Sequence, residues 1–209
     1  MTISITYNSD FGALSVNEAL SVWSTGFNTA GHGAGNTGGF NTGGRAMSGE
    51  QYATHGANSS DYAFIAGSDT DNGLNYVFNP KVSPGDNMNH YLWGELDTVT
   101  LGTGLTGGDG SDFGLGQYIA SFNGLDLSAA SDAGRAGNAV QDVIYGLMKG
   151  NVAGLEGALN NLLSEFGLST ESTFDDLAAA GLAHADASLA ADIGLVGVQD
   201  VAQDWALAA

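Results

Sequence analysis

Residues 50–125 are written in short blocks rich in aromatic and β-branched residues: EQYATHG, DYAFIAGS, LNYVFN, NHYLWGELDTVTLG and QYIASFNGLDL. Gly, Asn, Asp and Pro part them, so the segment reads as strands joined by tight connections into an antiparallel sheet. Helical spacing takes over only afterwards. Residues 136–149 set Val140, Val143, Ile144, Leu147 and Met148 on one stripe; Gly150 and Asn151 end that helix, and Asn151 can cap the next. Residues 152–166 align Leu155, Leu159, Leu162, Leu163 and Phe166, with Gly167 as the stop, and STFDDLAAAGLAHA predicts a further short helix from about Ser172. A run of strands followed by a run of helices, without β-α-β alternation, predicts an α+β fold.

The N-terminal part adds one strand, ISITYN, and one helix over about 15–26. Ser15 and Glu18 are spaced for a capping box, in which each side chain satisfies a backbone amide at the helix start, and Val16, Leu20, Trp23 and Phe27 share a helical face. Residues 29–49, TAGHGAGNTGGFNTGGRAMSG, hold too much glycine for a regular element and predict a long loop. The 209 residues read as a single domain over 1–190 followed by a tail, 191–209.

Charge removes whole classes of partner. The formal net charge is −19, and the four basic residues, Arg45, Lys81, Arg135 and Lys149, stand apart. No stripe is left to neutralise phosphates, which excludes nucleic acid and anionic membrane surfaces. Without cysteine there is no disulfide framework, zinc–thiolate site, iron–sulfur cluster or thiol nucleophile. Neither G-x-S-x-G nor H-E-x-x-H occurs. Residues 107–113, GGDGSDF, resemble the start of a calcium-binding nonapeptide repeat, but in a single copy they read as an acidic turn. Such an acidic chain suits an extracellular setting, although MTISITYNSDFG lacks the basic-then-apolar pattern of an N-terminal export leader.

Three residues gain meaning together. His32 sits at the centre of the glycine-rich loop, while Tyr76 and His90 lie at opposite ends of a turn-rich connection, where a hairpin can bring them together. Singly they read as a solvated histidine, a strand aromatic and a partly buried histidine. Jointly they read as a ligand set. A phenol, with a free pKa of about 10, binds metal near neutrality only if its ionised form is favoured, and a neighbouring imidazole does this by hydrogen bonding. Ferric iron is a hard cation that favours anionic oxygen, and tyrosine serves as an axial haem ligand. His55 and His184 read as surface histidines.

With these residues the chain resembles the HasA-type haemophores, secreted haem-scavenging proteins of Gram-negative bacteria. The resemblance runs in order through the Trp-containing first helix with Phe27, NTGGF, SGEQYA, AFIAG, LNYVF, HYLWGELDTVTLGTGLTGG, VIYGLMKGN, STFDDLAAAG, VGVQD and the terminal ALAA. It implies a curved antiparallel sheet on one side packed against a layer of helices, with haem b (ferric iron protoporphyrin IX) held between two loops at one edge. It further implies His32 and Tyr76 as axial ligands, His90 as the support of Tyr76, and Phe78, Tyr145 and Met148 along the pocket. On spacing alone Tyr145 and Met148 read equally well as core packing. Two departures from the family stand out: Lys81 to Asn87 lengthen the Tyr76–His90 connection, and Gln141 replaces a frequent histidine, so any role of that position is lost or altered.

The function so implied is that of a monomeric, non-enzymatic extracellular carrier. It would capture haem, including from host haemoproteins such as haemoglobin, and deliver it to an outer-membrane haemophore receptor for iron acquisition. The end of the chain, DWALAA, resembles the uncleaved signal read by a type I secretion apparatus. The alternative is a calcium-dependent secreted adhesin or structural protein exported by the same route.

Overall fold

The alternation in ISITYN buries Ile5 and Tyr7 on one face of strand β1 (Ser4–Asn8). This is the start of the computed structural model, which describes residues 3–29, 38–44, 46–57, 60–71 and 73–186. The capping box forms as spaced: the Ser15 hydroxyl accepts from the Glu18 N–H at 3.1 Å, and the Glu18 carboxylate accepts from the Ser15 N–H at 2.8 Å. It opens helix α1 (Val16–Phe27), whose Val16, Leu20, Trp23 and Phe27 are all buried.

The strand series divides between two sheets. Beyond β2 (Gly39–Phe40), β3 (Ser48–Gly49) and β4 (Gln51–His55) come β5 (Tyr62–Gly67), β6 (Leu74–Val77) and β7 (Tyr91–Leu96). Then follow β8 (Thr98–Gly108), β9 (Ser111–Asn123), β10 (Leu127–Ala129) and, near the end of the described chain, β11 (Ala183–Asp186). The large sheet runs β11-β1-β9-β8-β5-β4-β2 and the small one β10-β7-β6-β3. All pairings are antiparallel except β1 with β11, which is parallel.

The block NHYLWGELDTVTLG, continuous in sequence, changes sheet at Asp97. Its N–H donates to the Gly67 carbonyl and its carbonyl accepts from Leu125, each at 2.9 Å, which turns the chain from one sheet into the other. GGDGSDF becomes the tip of the β8–β9 hairpin. Asp109 and Gly110 form its two-residue turn with φ of 52° and 92°, the left-handed pair whose twist matches that of the strands.

Helices α2 (Ala139–Met148), α3 (Ala153–Ser164) and α4 (Phe174–Ala179) fill the last third. Gly150, at φ 69°, closes α2, and the Asn151 side chain accepts from the Ala153 N–H at 2.9 Å to start α3. The buried stripe of α2 packs on α3 and on β7, which brings that helix alongside the small sheet. Residues 183–185, the end of the block that sequence reads as a short helix, instead pair together with Asp186 against β1, and the 191–209 tail lies outside the described residues.

Candidate functional site

Tyr76 stands opposite Leu92 in the β6–β7 ladder, and the next pair is Val77 with Tyr91. His90, the residue before β7, therefore lies diagonal to Tyr76, within reach of an aromatic side chain. The Tyr76 hydroxyl and His90 Nδ1 are 2.5 Å apart. Burial pushes the Tyr76 pKa up from its ordinary 10, the charge of Arg135 pulls it down, and Tyr145 adds to the rise. A neutral phenol can donate in this bond to Nδ1 of the tautomer that carries its hydrogen on Nε2.

The backbone that presents His90 is unusual. Its φ is 55°, a left-handed conformation that costs a residue with a Cβ roughly 1–2 kcal/mol. The neighbouring Asn89, 1% exposed, holds it there. The Asn89 side-chain Oδ1 accepts from the backbone N–H of Asn79 at 2.8 Å and of His90 at 3.0 Å, while its Nδ2 donates to the backbone carbonyls of Asn79 and Val82, both at 3.0 Å. Arg135 fastens the outside of the same connection through Nε to the Asn89 carbonyl at 2.7 Å and Nη2 to the Pro84 carbonyl at 2.6 Å. Residues 81–87 thus belong to a bracketed loop that leads into His90 and aims it at Tyr76. Asn89→Ala should orphan several buried backbone groups at roughly 1–3 kcal/mol each. Hydrogen exchange should show the amides of residues 79–90 losing protection while those of α3 keep theirs.

Helix α2 is locked to the same ladder. Asn138 caps it by accepting from the Gln141 N–H at 2.9 Å and donates from its amide to the Leu92 carbonyl at 2.8 Å. Gln141 Oε1 accepts from the Leu92 N–H at 2.7 Å. Both polar backbone groups of the residue facing Tyr76 are therefore held by the start of α2. Sequence reading took any family role at Gln141 as lost or altered; in the structure its side chain holds the Leu92 N–H.

Between these elements lies a cavity of about 660 Å³, within the range of roughly 300–1,000 Å³ usual for small-molecule pockets. Tyr76, His90 and Leu92 form one wall, Tyr145 and Met148 of α2 another, and Phe40 with Tyr52 a third. The Tyr52 hydroxyl donates to the Met148 sulfur at 3.4 Å, and burial raises its pKa, so it stays a neutral wall. Phe78 does not line the cavity: it is 48% exposed, and its ring packs on that of His90 with centroids 5.0 Å apart. His32 lies outside the described residues. Gly38 and Gly39, the first described residues after that segment, do line the cavity, and a Cβ on Gly38 would collide with the Tyr52 hydroxyl. His55 and His184 are both exposed, as read from sequence.

An apolar cavity with a phenol and an imidazole joined at its wall suits a planar iron macrocycle bound through oxygen. A sequence model of the family described as Heme-binding protein A (HasA) matches residues 1–209. The chain belongs to the HasA family. It is similar to Hemophore HasA of Serratia marcescens, 39% identical over 193 residues that span 89% of this chain and 96% of that protein. Among solved structures, the holo hemophore HasA of Yersinia pestis matches with a TM-score of 0.69 and 26% identity, covering 88% of this chain and 99% of that one. An apo structure of the same hemophore, in a tetragonal form, gives 0.69 and 27% over 88% and 97% of the two chains. In this HasA chain, sequence reading missed Arg135, Asn89, Asn138 and Tyr52. Only Arg135 offered a signal, as one of the chain's four basic residues.

Proposed function

We propose that the protein is an extracellular haem carrier that holds ferric protoporphyrin IX through Tyr76, supported by His90, with His32 as the second axial ligand. The observation that carries the reading is the hydrogen bond of 2.5 Å between the Tyr76 hydroxyl and His90 Nδ1 at the wall of an apolar cavity. Family membership supports it, since the matched model and relatives are named for haem binding and haem carriage.

Haem brings a Lewis-acidic ferric centre and a large apolar face. Phe40, Leu92 and Met148 take the face out of water, which supplies most of the affinity. Tyr76 supplies the oxygen, and His90 Nδ1 is already placed to take its proton when that oxygen turns to the metal. With His32 and Tyr76 filling both axial positions, no site remains for peroxide, in keeping with a carrier rather than an enzyme. Tyr145 and Met148 complete the surroundings, and the Phe78 ring packs on that of His90.

The single domain over 1–190 captures haem, including from host haemoproteins such as haemoglobin, and yields it to an outer-membrane receptor as a monomer. The 191–209 tail carries the signal for a type I secretion apparatus. The calcium-dependent adhesin has less support: GGDGSDF is spent on a two-residue turn, and among the described residues no three His, Cys, Asp or Glu side chains converge to hold a metal.

Mixing the purified chain with haemin should give a coloured species that survives gel filtration at one equivalent of haem. His32→Ala should retain haem with an altered visible spectrum, because Tyr76 still holds the iron. A chain that elutes colourless refutes the proposal.

A further inference from the structure

We infer that Arg135 recognises a propionate carboxylate of the porphyrin, and so sets the preference of the cavity for an anionic macrocycle. The inference rests on the haem reading above and goes beyond it to the polar edge of the ligand.

The first observation is where the charges lie. The chain has 23 Asp and Glu residues against 4 Lys and Arg. Three other surface cavities are lined with acids: Glu50 and Asp71 in one, Glu18 and Glu171 in a second, Asp69, Glu95, Asp97 and Asp126 in a third. Among the described residues around the cavity of Tyr76 there is no Asp or Glu, and Arg135 is the one Lys or Arg. In a molecule this acidic, a carboxylate-free pocket with a guanidinium on its wall is the place where an anion meets least repulsion.

The second observation is how the guanidinium is held. Nε donates to the Asn89 carbonyl and Nη2 to the Pro84 carbonyl, both backbone acceptors that leave the positive charge without a countercharge from either. Of five N–H donors these bonds use two, and three remain for a ligand. Because the side chain is already fixed, little rotamer freedom is lost when a carboxylate arrives. Protoporphyrin IX has the matching shape of charge: an apolar ring with two carboxylates along one edge. Its ring suits Phe40, Leu92 and Met148, and a carboxylate suits the fork of Arg135.

The test compares ferric protoporphyrin IX with its dimethyl ester, which keeps ring and iron but removes both negative charges. Dissociation constants for the two ligands are measured under one solvent condition with the wild-type chain, Arg135→Gln and Arg135→Lys. We expect the wild type to favour the free acid by about tenfold, the contribution of a charge-assisted pair at a partly exposed site. Arg135→Gln should remove that preference and Arg135→Lys should retain part of it. Any loosening of the 81–89 loop weakens both ligands alike and cancels in the ratio, as does an effect of the guanidinium on the Tyr76 oxygen. A wild-type ratio near one, or a preference that survives Arg135→Gln, overturns the inference while leaving the haem carrier intact. Failure of the wild type to bind either ligand overturns the carrier reading itself.

Discussion

Tyr76→Phe is expected to weaken haem binding by more than about 100-fold and to erase the phenolate charge-transfer signature from the visible spectrum, with the fold unchanged. The substitution removes one oxygen from a half-buried ring, the oxygen proposed above as the donor to iron. Loss of a supporting group typically costs roughly 10–100-fold in metal affinity, so His90→Ala should fall in that window and the ligand itself beyond it. In the free chain burial raises the Tyr76 pKa, so on the proposed reading the imidazole at 2.5 Å takes up the phenol proton in the binding step. His90→Ala should therefore slow haem uptake at neutral pH as well as weaken it. Tyr145→Phe is the control: it changes another phenol of the same cavity, 39% exposed on α2, and should move affinity only slightly. Spectroscopic titration with haemin ranks the four proteins. Wild-type affinity and spectrum in Tyr76→Phe would remove the ligand assignment.

What could be read from sequence was what is decided within a few residues of chain. The cap of α1 needs only Ser15 and Glu18, three apart, and both hydrogen bonds form. The stop of α2 needs only Gly150, whose lack of a Cβ makes φ 69° inexpensive. Tyr76 and His90 were legible as partners because a hairpin joins them, 14 residues apart. The resemblance supplied the roles that spacing could not, since it carries the pattern of a whole family onto single positions.

The remainder is settled by distant polar contacts that leave no local trace. Arg135 grips carbonyls 46 and 51 residues away, and Gln141 accepts from an N–H 49 residues away. Backbone acceptors have no signature in a side-chain sequence, so neither residue could be tied to the site. Asp97 reads like any acidic residue within a strand block, yet the sheets part there because its N–H and carbonyl bond to Gly67 and Leu125. Ala183 to Asp186 are too small and polar to signal a strand, and only the open edge of β1 makes them one.

Trp23→Ala is expected to destabilise the ligand-free chain by about 4 kcal/mol, the usual cost of truncating a large buried aromatic. Its indole is fully buried, packs on Phe27 at 4.7 Å and Phe64 at 6.2 Å, and donates from Nε1 to the Ala63 carbonyl at 2.9 Å. At roughly 2–4 °C per kcal/mol for a chain of this size, Tm should fall by about 10 °C. Trp23→Phe keeps most of the buried surface but gives up the hydrogen bond and some volume, and should cost clearly less. The aromatic cluster also reaches the binding site: Phe64 packs on Tyr52 at 6.4 Å, and Tyr52 on Phe40 at 5.2 Å, and these last two form a cavity wall. Haem should consequently restore part of the lost Tm in Trp23→Ala, because a ligand that binds only the folded state stabilises it. Tyr76→Phe should behave in the opposite way, with a normal Tm when free and almost no gain on adding haemin. Thermal unfolding of both variants with and without haemin tests this separation of core from site. A Trp23→Ala chain that melts within about 3 °C of wild type would mean that α1 does not anchor the large sheet through this ring.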